Sequence, residues 1–135
     1  MGRLVLVLCL LAAVWGLPLH AQSKDLTANI PFAFEMSKTR MPAGVYLIQQ
    51  QPGYVVFKEA HGAKSAIALV LRSERKTAPP RAELQFHRYG NTYFLSSVWS
   101  PYSAAGLILL KSAPEKELAR NGGIVERAGV ALQHK

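Results

Sequence analysis

The chain is predicted to be all-β: a small antiparallel sandwich or up-and-down barrel of six or seven strands, with one short C-terminal helix. Three observations carry this expectation. Two strand-like runs within Glu83–Ser100 flank Gly90-Asn91, a pair suited to the positive φ values of a tight hairpin turn. Turn signatures recur at intervals of about ten residues, the spacing of short strands in small β domains. A single helix-start pattern, Ser112-Ala-Pro-Glu115, stands near the C-terminus.

In chain order the first feature is a targeting segment. Arg3 precedes an apolar run from Leu4 to Leu17, Pro18 breaks it, and Leu19-His20-Ala21 offers a small residue for cleavage. Residues 1–21 therefore read as a secretory signal peptide, too short for a membrane span, and the exported form is expected to begin at Gln22. Cys9 is the only cysteine, so residues 22–135 hold no disulfide, cysteine nucleophile or Cys-bound metal. These 114 residues suffice for one domain, stabilised by a hydrophobic core alone. Of sixteen Lys and Arg only Arg3 lies in the signal, which leaves fifteen against eight acids. Such a basic exported domain is attracted to anionic surfaces: phospholipid headgroups or envelope polymers. Nucleic acid is not expected as a partner of an exported protein.

Ala28–Met36 alternates, with Ile30, Phe32 and Phe34 on one side. Pro31 has no backbone donor, so this is read as an edge strand or one that starts after the proline. Ser37–Arg40 reads as a turn. Pro42 and Gly44 bend the chain into a strand over Val45–Gln50, with Val45 and Leu47 on one face and Tyr46 and Ile48 on the other. In Gln51-Pro-Gly-Tyr54, proline presets φ and glycine accepts positive φ, a type II turn into a partner strand over Tyr54–Phe57. Glu59–Lys64 is a second turn. Ala66–Leu71 is a nearly continuous apolar run, read as a strand buried on both faces rather than a short helix. Ser73–Arg81 is a basic, proline-stiffened loop into the central hairpin.

In that hairpin, Tyr89 is expected opposite Thr92. One face then carries Leu84, Phe86, Tyr93, Leu95 and Trp99. The other, solvated face carries Glu83, Gln85, His87, Tyr89, Phe94, Ser96 and Val98. Ser100–Gly106 is a loop, and Leu107–Leu110 a short closing strand. The helix is expected over residues 112–121 and stops at Gly122 or Gly123. Residues 124–135 are a last strand or a tail.

Several of these segments resemble a group of small exported proteins of acidobacterial-type genomes: Asn29-Ile-Pro-Phe-Ala-Phe34, Pro42-Ala-Gly-Val-Tyr46, Phe86-His-Arg-Tyr-Gly-Asn-Thr-Tyr-Phe-Leu95 and Lys116-Glu-Leu-Ala-Arg120. Met41 stands where that group usually has Leu. The resemblance implies an envelope or secreted location, periplasmic or extracellular, and brings no catalytic residue with it. Pro-x-Gly-x-Tyr is also similar to a strand-initiating motif of exported β-sandwich modules, which bears on fold alone.

For function, no nucleophile elbow, HExxH helix or phosphate-binding glycine loop occurs. No catalytic residue, metal ligand or cofactor is assigned. The expected function is a non-enzymatic binding or structural module of the cell envelope. It would hold an anionic polymer or an envelope protein through a basic and aromatic patch of Arg75, Lys76, Arg81, Arg88, Tyr89 and Tyr93. One alternative is an accessory subunit that pairs through the edge strand at Ala28–Met36. Another is a small hydrolase using His87 and Glu83, with Ser96 as nucleophile.

Overall fold

The computed structural model describes residues 25–77, 81–100 and 104–134. The segment expected to be a signal peptide, residues 1–21, and the middles of the loops after β6 and β8 lie outside the described residues. The described residues form eleven strands and one helix, in order: β1 Leu26–Ile30, β2 Phe34–Met36, β3 Thr39–Met41, β4 Gly44–Gln51, β5 Tyr54–Glu59, β6 Ser65–Glu74, β7 Glu83–Tyr89, β8 Thr92–Trp99, β9 Ala105–Leu109, α1 Ala113–Arg120, β10 Val125–Ala131 and β11 Gln133–His134. The fold is all-β with one short C-terminal helix. The strands join in the order β10-β7-β8-β9-β6-β5-β4-β1-β11, and the β2–β3 hairpin sits against β8. Among the described residues every strand pairing is antiparallel except a single parallel bridge between Glu35 and Phe94. β10 and β11 end the order, yet only Leu132 separates them in the chain. The sheet thus wraps around one core, and its two ends meet at a buried leucine whose N–H donates to the Ala82 carbonyl at 2.9 Å.

Strand faces follow period-two alternation. β1 buries Leu26, Ala28 and Ile30, β4 buries Tyr46 and Ile48, and β5 buries Val55 and Phe57. Pro31 divides the expected Ala28–Met36 strand in two, because it has no N–H to continue the ladder. Neither piece is a free edge: β1 lies between β4 and β11, and β2 between β3 and β8. The turn expected over Ser37–Arg40 is only Ser37-Lys38, with Ser37 at φ 56°. Gly53, at φ 84°, makes the turn from β4 to β5 as expected.

Two readings of faces need correction. β6 is a strand, but its burial is one-sided. Ala66, Ala68 and Val70 enter the core, whereas Ile67, Leu69 and Leu71 point outward into solvent. The hairpin register holds from Tyr89↔Thr92 to Phe86↔Leu95 and then shifts, so that Gln85 pairs Ser97 and Leu84 pairs Val98. One extra residue on β8 is a β-bulge, and it exchanges the faces beyond it. Val98 is therefore core, and Trp99 and Ser97 turn to the outer face.

The core centres on aromatic rings. Phe34 lies 5.3 Å from Tyr46, 5.5 Å from Phe86 and 6.1 Å from Phe57, all at steep interplanar angles. The Tyr46 hydroxyl donates to the Pro42 carbonyl, which ties the Pro42–Tyr46 bend to the strand it opens. Burial, and secondarily the charge of Glu59, push the Tyr46 pKa from 10.0 up to about 12. A group whose folded pKa is raised contributes fully below its unfolded pKa and loses that contribution as pH climbs through the folded one. Tyr46 thus favours the fold up to about pH 10, and the benefit disappears towards about pH 12. In thermal melts across this alkaline range, Tyr46→Phe is expected to flatten the fall in stability. At neutral pH the same change should cost about 1 kcal/mol for the lost hydrogen bond. Tyr89, also raised by burial and by Glu115, leaves a residual slope.

Candidate functional site: a groove on the outer face of the central hairpin

The outer face of β7 and β8 was expected to be wet, but it is partly roofed. α1 is capped by Ser112, whose Oγ accepts from the Glu115 N–H at 3.4 Å, and Pro114 occupies the first turn. That cap directs Glu115 down onto the sheet, where the residue is only 3% exposed. Its Oε1 lies 2.7 Å from His87 Nδ1 and accepts from the Tyr89 hydroxyl at 3.2 Å. Burial first, then the charge and hydrogen bond of Glu115, raise the Tyr89 pKa, so Tyr89 remains a donor. Phe94 packs edge-on against Tyr89, 5.8 Å between centroids, under the same roof.

Beside this latch lies an open groove of about 530 Å³, walled by the end of β6, β7, β8, β9 and β10. Its floor is a chain of polar contacts along the bulged strands. Trp99 Nε1 donates to Ser97 Oγ at 2.8 Å, Ser97 Oγ donates to Gln85 Oε1 at 3.4 Å, and Gln85 Nε2 donates to Glu83 Oε1 at 2.8 Å. Arg75 closes the chain, 3.4 Å from Glu83 Oε1 and with its guanidinium 3.6 Å above the Trp99 ring. Trp99 lies so close to Gly106 that a Cβ there would come within 2.4 Å of the ring. The indole and the Arg75 stacked on it are thereby set in place. Arg127 on β10 is paired in register with His87 and joins the groove wall, as do Lys111 and Glu74. Because Nδ1 of His87 is taken by Glu115, Nε2 is the ring nitrogen left for a ligand.

The sequence-predicted patch is divided by this geometry. Arg75 is in the groove, while Lys76 and Arg81 are exposed in the loop between β6 and β7. Arg88 lies at the far end of β7, 5.5 Å from the Tyr93 ring, 3.8 Å from Glu126, and donating from Nε to the Gly90 carbonyl at 2.7 Å. Tyr93 is stacked on Phe32 at 3.8 Å, against the core. Tyr89 is buried beneath α1 and presents no ring to a ligand. The hydrolase relay is not assembled: His87 pairs with Glu115, Glu83 is held by Arg75 and Gln85, and Ser96 Oγ donates to the Gln85 carbonyl at 2.9 Å. Among the described residues no group of three His, Cys, Asp or Glu is placed to hold a metal ion.

The residues that sequence reasoning missed are Trp99, Lys111, Glu115 and Arg127. Glu115 was visible as a capping residue, but no local signal assigned it to His87. No family model, curated protein or solved structure matches the chain.

Proposed function

We infer that the protein is an exported, non-enzymatic binding module of the cell envelope, periplasmic or extracellular, that holds a segment of an anionic polymer in this groove. The observation that carries the reading is the convergence of Arg75, Lys111 and Arg127 on one open groove about 530 Å³ in volume, with Glu74 as the unpaired acid among them. Arg75 is already oriented on Trp99, so the fork it offers to a carboxylate or phosphate costs little further ordering. The form beginning at Gln22 is expected to be retained by envelope extract at low salt and released at high salt, as for exposed charges beyond screening distance. The Arg75→Ala/Arg127→Ala variant should lose this retention, whereas Arg88→Ala, at the far end of β7, should keep it. Equal loss in Arg88→Ala would overturn the groove assignment.

The accessory-subunit reading retains one specific support, transferred to another strand. Among the described residues β10 pairs only with β7, and its seven residues are mostly exposed. A single protein retained regardless of salt would favour strand addition at Val125–Ala131. Nothing retained in either buffer would remove both readings.

A further inference from the structure

β6 presents an apolar stripe that nothing among the described residues covers. Ile67 is 62%, Leu69 71% and Leu71 58% exposed, at alternate outward positions of one strand. Leu110 extends the stripe beyond β9 at 63% exposure, and Tyr54, opposite Leu69 in the register, borders it at 38%. Single exposed apolar residues are ordinary, but large aliphatic chains in an unbroken row mark a surface that is used. Charge decides what uses it. The outward positions of β4, β5 and β6 include no acidic side chain, and Lys58 and Lys64 stand at one end of the stripe. Two copies of the form beginning at Gln22, each with fifteen Lys and Arg against eight acids, would bring like charges together across this face. An anionic bilayer would instead attract the lysines and take the aliphatic row among its acyl chains, with Tyr54 at headgroup level.

We propose that the outer face of β5 and β6 is a peripheral docking surface for an anionic phospholipid bilayer. The stripe enters the interface, the lysine end contacts headgroups, and the hairpin groove remains free on an adjoining face. This surface adjoins the groove of the polymer-binding reading at Leu110, which lines both, but neither Arg75 nor Arg127 belongs to it.

The test is flotation with vesicles of phosphatidylethanolamine and phosphatidylglycerol, against phosphatidylcholine alone. It uses the form beginning at Gln22, because the apolar N-terminal run would itself bind lipid and the core of the described residues falls within Leu26–Leu132. Wild type should float with the anionic vesicles and not with phosphatidylcholine. Ile67→Ser/Leu69→Ser/Leu71→Ser should lower the bound fraction by at least about tenfold, since buried methylenes supply most of interfacial affinity. An unchanged melting temperature shows that this outward-facing variant is folded. Lys58→Glu/Lys64→Glu should weaken binding and reduce its salt dependence, and Arg75→Ala/Arg127→Ala should leave it intact. Wild type that stays behind, or a triple serine variant that floats equally well, overturns the proposal. So does a dimer in light scattering that the triple variant dissolves, which would assign the stripe to a second copy.

Discussion

Phe34→Ala is expected to lower the free energy of unfolding by about 4 kcal/mol, read from urea denaturation, with a fall in Tm of roughly 15 °C. Phe34 is fully buried on a strand of only three residues, and its ring meets Tyr46, Phe57 and Phe86 from three different strands. It therefore joins the β2–β3 hairpin both to the β4–β5 half of the sheet and to β7. Three surrounding rings cannot collapse into the space without giving up their own edge-to-face contacts, so a cavity term adds to the lost transfer energy. Phe34→Leu keeps much of the volume and should cost about half as much. Phe32→Ala is the control. That ring is half-buried, stacked on Tyr93 at the margin of the core, and should cost less than Phe34→Ala. A loss below about 1 kcal/mol for Phe34→Ala would place the centre of the core elsewhere.

The strands were legible where local chemistry determines them. Gly90 at φ 60° gave the central hairpin its turn, and four residue pairs followed from that alone. The register failed at the bulge, because alternation cannot show that Ser96 is the extra residue when it and Ser97 are both small and polar. One inserted residue then exchanged Val98 and Trp99, moving the indole from the expected core to the floor of the groove. Ala66–Leu71 failed for a different reason. A strand covered on both faces and one with an uncovered apolar face have the same sequence, and only tertiary neighbours distinguish them. The pairing of β1 with β11 joins residues more than a hundred positions apart and carries no local mark.

The candidate site was less legible than the fold. Arg75 and Arg88 both adjoin β7, and proximity in sequence suggested one patch. They stand at opposite ends of that strand, and Arg88 has the parity of Phe86 rather than of His87. Arg127 reaches the groove only because β10 returns to pair with β7, across a segment in which no pattern was decisive. Ser112 was read correctly as the cap and its Oγ takes the Glu115 N–H, but the Glu115 carboxylate does not return to the cap and takes a second role on His87 and Tyr89. Its second role depends on α1 lying over the outer face of the hairpin, which local propensity does not determine.

That second role carries the other large expected effect. Glu115→Ala should cost about 3 kcal/mol, because it leaves His87 Nδ1 and the Tyr89 hydroxyl without their acceptor under a roof that excludes most water. A helix of eight residues has too few turns to persist alone, so α1 should lose its exchange protection before the sheet does. Glu115→Gln keeps an oxygen of similar placement and should cost less than the alanine change. If the pair is a latch, His87→Ala and Glu115→Ala will not add: their double variant should fall short of the sum by about 1 kcal/mol or more. Additivity within about 0.5 kcal/mol would show that the two residues act independently. The latch also bears on binding, since Lys111 immediately precedes the Ser112 cap and moves with it. Under conditions where both variants are folded, Glu115→Ala should therefore lose polymer retention that Glu115→Gln keeps. Equal retention would show that the groove holds its shape without α1, and that Arg75 and Arg127 on the strands suffice.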